Sequence, residues 1–182
     1  MLDFITNLSI FIANKVVIKR LINIYRWLSI RILFINGLNF FFYILFIINN
    51  SFFIVDLPGY GFAKVSKKEK EKIKNLHENY FKNRKQLFSA LLLIDIRLKP
   101  QQIDLEFMKY LNEFFVPFIL IFTKCDKLKK REIDEKIKTY SKEIKKNWEV
   151  SPQIITSSSK NKNGLEDILE FIDNSSKEFK LN

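Results

Sequence analysis

The chain has 182 residues, of which 47% are hydrophobic and 28% charged, and it carries a net charge of +11. That is enough for one domain with a substantial core and too little for two comfortable ones, and the composition excludes an intrinsically disordered polypeptide. A single cysteine, Cys125, and a single histidine, His77, exclude an intrachain disulfide framework and a Cys/His zinc site, and the lone thiol points to a reducing compartment.

Taken in chain order, the first residues do not read as a clean secretory signal: Asp3 stands where a basic region is expected. Residues 27–54 are strongly apolar, but the longest unbroken run, Phe40–Ile48, falls short of the roughly 20 residues a membrane span requires. A membrane-tethered protein using residues 27–48 is therefore the lesser alternative. The two runs Phe40–Ile48 and Phe52–Val55, rich in aromatic and β-branched residues, flank Asn49-Asn50-Ser51 and predict a β-hairpin. Charged helical sequence follows from Gly61 to about Gln86. Leu87–Ile94 reads as a strand buried on both faces, Gln102–Phe115 as an amphipathic helix, and Phe118–Phe122 as a second buried strand. Glu132–Trp148 is a charged helix, Gln153–Thr156 a short strand, and Leu165–Phe179 a final helix. Strands alternating with helices predict a mostly parallel sheet with helices on both faces, in one domain spanning 1–182, with ligands at the carboxyl ends of the strands.

The motifs fall at those ends. Asp56-Leu57-Pro58-Gly59 follows the strand ending at Val55. A carboxylate there can hold Mg2+, usually through water, and a glycine lets a backbone N–H approach a terminal phosphate. Thr123-Lys124-Cys125-Asp126 fits [NT]-K-x-D, the pattern of guanine recognition. Its carboxylate, Asp126, accepts from the ring N–H and the exocyclic amine of guanine, a pair that adenine lacks, while the Lys124 stem lies along the base. Ser157-Ser158-Ser159, before a helix, is either a base-binding loop or an ordinary N-cap.

The string Val55 to Lys67, VDLPGYGFAKVSK, resembles the EngB family of small GTP-binding proteins almost residue for residue. The resemblance runs from about 46 to 178 and keeps the motifs in the family's order. It includes the pattern D-x-R-x-x-P-x-x-x-D over Asp95, Arg97, Pro100 and Asp104, where Asp95 and Arg97 read as a structural pair. The resemblance implies a Ras-like P-loop GTPase fold, and a monomer that binds GTP or GDP with Mg2+ on Asp56. The nucleotide would lie against Asp56, Leu57, Pro58, Gly59, Thr123, Lys124, Cys125, Asp126, Ser157, Ser158 and Ser159. It further implies a cytoplasmic protein, bacterial or organellar, acting in large ribosomal subunit assembly and in cell division and septation. The basic segments at 64–85 and 124–146 are compatible with a ribosomal RNA partner, or are only a solvated lysine-rich surface.

The first fifty residues depart from the family. A phosphate loop needs G-x-x-x-x-G-K-[ST], and no glycine precedes Gly37. Aligning Leu21-Ile22-Asn23 with the family's S-S-L-I-N puts Ile12 and Val17 at the glycine positions, Ile18 at the lysine and Lys19 at the serine. The switch segment survives at most as Asn36-Gly37, with Asn39 or Phe40 at its second threonine. Two explanations stay open: a gene altered at its 5′ end, and a pseudo-GTPase that docks on ribosomal RNA without tight nucleotide binding. Tyr60, where Ras-type enzymes carry a water-orienting glutamine, predicts weak hydrolysis in either case.

Overall fold

A computed structural model of the chain describes residues 8–12, 30–36, 42–48, 52–61 and 66–181. Its strands are β1 (Leu8–Ile12), β2 (Ile30–Asn36), β3 (Phe42–Ile48), β4 (Phe52–Asp56), β5 (Leu87–Asp95), β6 (Phe118–Thr123) and β7 (Ile154–Thr156). Its helices are α1 (Lys67–Asn83), α2 (Gln102–Glu113), α3 (Lys130–Ile144) and α4 (Leu165–Leu181), with a 3₁₀ turn at Cys125–Lys127. The described strands form one sheet in the order β2-β3-β4-β1-β5-β6-β7.

The expected hairpin is present: β3 and β4 pair antiparallel with Ile48 opposite Phe52. Its turn, 49–51, lies outside the described residues. β2 extends this unit as a further antiparallel strand at the sheet edge. On the other side of β4 the pairings are parallel, and β1 enters between β4 and β5. The sequence predicted neither bound of β1 nor any of β2. Among the described residues no helix is long and apolar enough to cross a membrane, and the described parts of 27–48 are strands.

Period-two geometry divides the strand residues between two cores. Phe53, Val55, Ala90, Leu92, Leu120 and Phe122 face α1, α2 and α3, meeting Phe81, Leu105, Met108, Leu111 and Tyr140. Their neighbours Ile54, Leu91, Ile119 and Ile121 face the other way and pack against Ile168 and Ile172 of α4. Fully burying each such aliphatic side chain contributes about 1.5–3 kcal/mol. This two-sided burial is why β5 and β6 read as unbroken apolar runs.

Helix ends differ from the expected ones for local reasons. α1 begins on a reciprocal cap: the Glu69 N–H donates to Ser66 Oγ at 3.3 Å and the Ser66 N–H to Glu69 Oε2 at 2.8 Å. α2 stops at Glu113 because Phe115 takes a left-handed φ of 55° and the Val116 N–H turns back to Leu111 O at 3.0 Å. α3 ends at Ile144, short of Trp148, where Asn147 and Trp148 both donate to the Ile144 carbonyl in a tightened turn.

Candidate nucleotide site

The parallel strands bring the carboxyl ends of β4, β5, β6 and β7 to one edge of the sheet. Asp56, Asp95, Thr123 and Thr156 close those strands. β4 and β6 are separated by β1 and β5, three strand spacings or about 14 Å.

At β6 the backbone turns sharply. Thr123 Oγ1 donates to Ile94 O at 3.1 Å, and Lys124 adopts a left-handed φ of 64° that swings its side chain out over the sheet edge. The loops after β6 and β7 are joined by main-chain bonds. The Ser157 N–H donates to Phe122 O at 2.7 Å, and the Cys125 N–H donates to Ser157 O at 3.2 Å. This brings Asp126 against the serine loop, where Ser158 Oγ donates to Asp126 Oδ1 at 2.6 Å. That bond, aided by Lys127 and Lys160, holds the Asp126 carboxyl below the usual carboxylate range, so it is ionised at neutral pH.

Asn163, which sequence reasoning missed, secures the same loop. Its carbonyl accepts from the Ser158 N–H at 3.0 Å, and its Nδ2 donates to Cys125 Sγ at 3.3 Å. Gly164 follows with a φ of +70°. The Ser157 and Ser158 N–H groups are thus engaged within the protein. The Ser158 hydroxyl of this loop holds Asp126.

The Asp56–Gly59 segment is pinned from behind. Leu57 is in the core, and the neutral ring of His77 donates from Nε2 to Pro58 O at 2.8 Å. Tyr60 stacks on Phe107 with centroids 4.1 Å apart, and its hydroxyl donates to Asp104 Oδ1 at 2.9 Å. Asp104 Oδ2 accepts from Tyr140 at 2.9 Å, so one carboxylate ties this segment to α2 and α3. Burial raises the Asp104 pKa against the opposing effect of the two phenols. Tyr60→Phe should lower unfolding stability by about 1–3 kcal/mol, because it leaves a buried carboxylate short of a donor; urea denaturation of the two proteins measures this.

His77 is only 2% exposed, and burial pushes its pKa down to about 4. Its folded pKa lies below the unfolded value, so the unfolded chain binds the extra proton between about pH 6.5 and pH 4. Stability therefore falls as pH drops through that window, by about 3 kcal/mol from this group. Urea midpoints at pH 7 and pH 4.5, compared with those of His77→Gln, should show a smaller pH dependence in the variant.

Among the described residues no group of three or more His, Cys, Asp or Glu side chains could hold a metal ion on protein donors alone. A single hard carboxylate at the end of β4 is, however, the donor set that Mg2+ borne by phosphates requires, since that ion keeps waters and takes one or two carboxylates. β1 ends at Ile12, level with Asp56. The aligned phosphate-loop positions Val17, Ile18 and Lys19 lie outside the described residues, as do Gly37, Asn39 and Phe40 of the switch segment.

Solved structures of GTP-binding domains share this architecture. A crystal structure of a probable GTP-binding protein engB superposes with a TM-score of 0.62 at 24% identity, covering 93% of this chain and 99% of that one. The G domain of the Thermotoga maritima FeoB iron transporter gives 0.55 at 19% identity, covering 95% and 98%. The fold is therefore that of the P-loop GTPases. No family model matches the chain. In sequence it is 47% identical over 133 residues to a probable GTP-binding protein EngB of Bacteroides thetaiotaomicron, covering 73% of this chain and 66% of that protein. It is 48% identical over 139 residues to the Flavobacterium johnsoniae EngB protein, covering 75% and 66%. It is 44% identical over 135 residues to the Phocaeicola vulgatus protein, covering 74% and 68%. The chain belongs to the EngB family. The matched segment spans about two thirds of these relatives' length, just under that share for the first two.

Proposed function

We propose that the chain binds guanine nucleotides, with the base over the β6 and β7 loops and the phosphates toward Asp56 and Gly59. The observation that carries this reading is the ionised Asp126 carboxylate held by Ser158 at 2.6 Å beside the left-handed Lys124. Each carboxylate oxygen has two acceptor sites, so the Ser158 hydroxyl fixes the carboxylate and leaves acceptor capacity on both oxygens for the two donors of guanine. Thr123 and Cys125 shape the turn, and the Lys124 stem lies along the base. Asp56 would be the residue that holds Mg2+, which would supply charge neutralisation at the phosphates when bound. Leu57 and Pro58 anchor the segment in the core while the Gly59 N–H meets the terminal phosphate. Tyr60 directs its hydroxyl to Asp104 and not to an attacking water, so hydrolysis is slow without a partner.

In the cell the reading extends to assembly of the large ribosomal subunit and to normal division and septation, the roles implied by resemblance. Titration of the purified protein with fluorescent GDP and GTP, with and without Mg2+, tests the nucleotide reading. Saturable binding supports it, and no binding at high micromolar nucleotide removes it.

Two observations favour a second reading. The sequence contains no G-x-x-x-x-G-K-[ST] string, and its net charge is +11. A pseudo-GTPase docking on ribosomal RNA would bind RNA with steep salt dependence and no response to nucleotide.

A further inference from the structure

We propose that Asp95, oriented by Arg97, is a positioning residue for Lys124, so that the turn after β5 is part of the base-binding site. The inference rests on the guanine-site reading above and assigns a role to a pair which that reading leaves unused.

β5 ends at Asp95, level with Thr123 of β6. The Asp95 carboxylate receives four hydrogen bonds. Arg97 donates from Nε to Oδ1 at 2.9 Å and from Nη2 to Oδ2 at 2.7 Å, and its backbone N–H donates to Oδ1 at 3.1 Å. Lys124 Nζ donates to Oδ2 at 2.7 Å. The guanidinium fork fixes the plane of the carboxylate, which a point charge would not do. The turn itself is braced: the Leu98 N–H returns to Asp95 O at 3.0 Å, and Lys136 Nζ reaches from α3 to Arg97 O at 2.9 Å.

The Lys124 side chain is 52% exposed, so this ion pair contributes little to folding while costing a long side chain its rotamer freedom. What the geometry accomplishes is placement. With its φ at 64°, Lys124 leaves the strand upward, and Asp95 draws its ammonium across the end of β5. The aliphatic stem becomes a fixed ledge beside Asp126, ready for the flat face of a base without reordering on binding. The Arg97 guanidinium also lies within electrostatic reach of Asp126.

The test is a double-mutant cycle on GDP affinity with Asp95→Asn, Lys124→Met and both together. Asp95→Asn alone is expected to weaken GDP about tenfold, and less than about twofold when Lys124 is already replaced by methionine. A ledge acts on the ring face common to all purines. In the Asp126→Asn background, Asp95→Asn should therefore weaken xanthosine diphosphate by the same factor. A second readout needs no nucleotide: the rate of amine modification at Lys124, followed by mass spectrometry, should rise several-fold in Asp95→Asn as the ammonium is released. Equal weakening by Asp95→Asn with and without the Lys124→Met substitution would mean general distortion and overturn the proposal. Unchanged Lys124 reactivity, or full GDP affinity in Asp95→Asn, would overturn it too. If wild-type protein binds no guanine nucleotide while Lys124 reactivity still responds, the ion pair stands. The guanine-site reading then fails, and the role assigned to the pair fails with it.

Discussion

Gly164→Ala is expected to lower unfolding stability by about 3 kcal/mol, a fall in melting temperature of about 6–12 °C for a domain of this size. A Cβ at this position would sit 1.8 Å from the Thr156 carbonyl oxygen and 2.9 Å from its carbon. Both are backbone atoms at the end of β7, so no rotamer change relieves the overlap. The φ of +70° adds the strain that any L side chain meets in the left-handed region. The loop must move, and it carries Ser158, whose hydroxyl holds Asp126. Thermal unfolding followed by circular dichroism measures the stability change. GDP affinity of the folded variant at low temperature reads the displacement of the loop. A variant melting within a degree of wild type would show that the close approach at Thr156 is not present.

The second large effect is on base choice. Asp126→Asn should weaken GDP binding by about 100-fold or more and raise affinity for xanthosine diphosphate. Under the proposed reading guanine presents two donors to this position. An asparagine answers one with its carbonyl but turns an NH2 group toward the other, setting donor against donor. Xanthine carries an oxygen in place of the exocyclic amine, and that oxygen accepts from the NH2. Ser158 Oγ can still donate to the remaining carbonyl, so the loop keeps its anchor and the fold its stability. Competition of the two diphosphates against a fluorescent nucleotide measures the ratio. An unchanged preference would remove Asp126 from the base edge.

The chain from Phe42 onward was legible in sequence because its patterns are unambiguous. β5 and β6 are apolar runs of strand length, α2 repeats at helical spacing, and each functional string sits at a strand end. The early strands were not. Leu8–Ile12 stands among neighbours such as Val16–Ile18 and Leu21–Ile22 that are equally apolar, so neither period nor turn residues single it out. β2 was hidden in the same way inside the apolar stretch that precedes the hairpin. In the site, the strings Thr123–Asp126 and Ser157–Ser159 were readable one by one, and the bond joining Asp126 to Ser158 required the register of β6 with β7. Asp95, Arg97 and Asp104 were visible as a spaced pattern. Their roles depend on contacts made across the fold: Asp95 with Lys124, and Asp104 with Tyr60 and Tyr140. A lone Asn163 carries no local signal at all.

The place of β1 in the sheet bears on how the molecule folds. The antiparallel unit of β2, β3 and β4 and the parallel unit of β5, β6 and β7 each form from neighbouring pieces of chain. β1 joins them, pairing Leu8 with Phe52 on one side and Ser9 with Leu87 on the other. In the chain it precedes both of its partners, β4 by about 40 residues and β5 by more than 70. Closing the sheet demands contacts far apart in sequence, which slows folding relative to a chain of local pairings. Until that strand inserts, β4 and β5 each expose an open edge between two half-built sheets, the kind of surface on which partly folded chains associate. Substitutions that weaken Leu8–Ile12 are therefore expected to show first as slow, aggregation-prone refolding and only afterwards as lost ligand affinity.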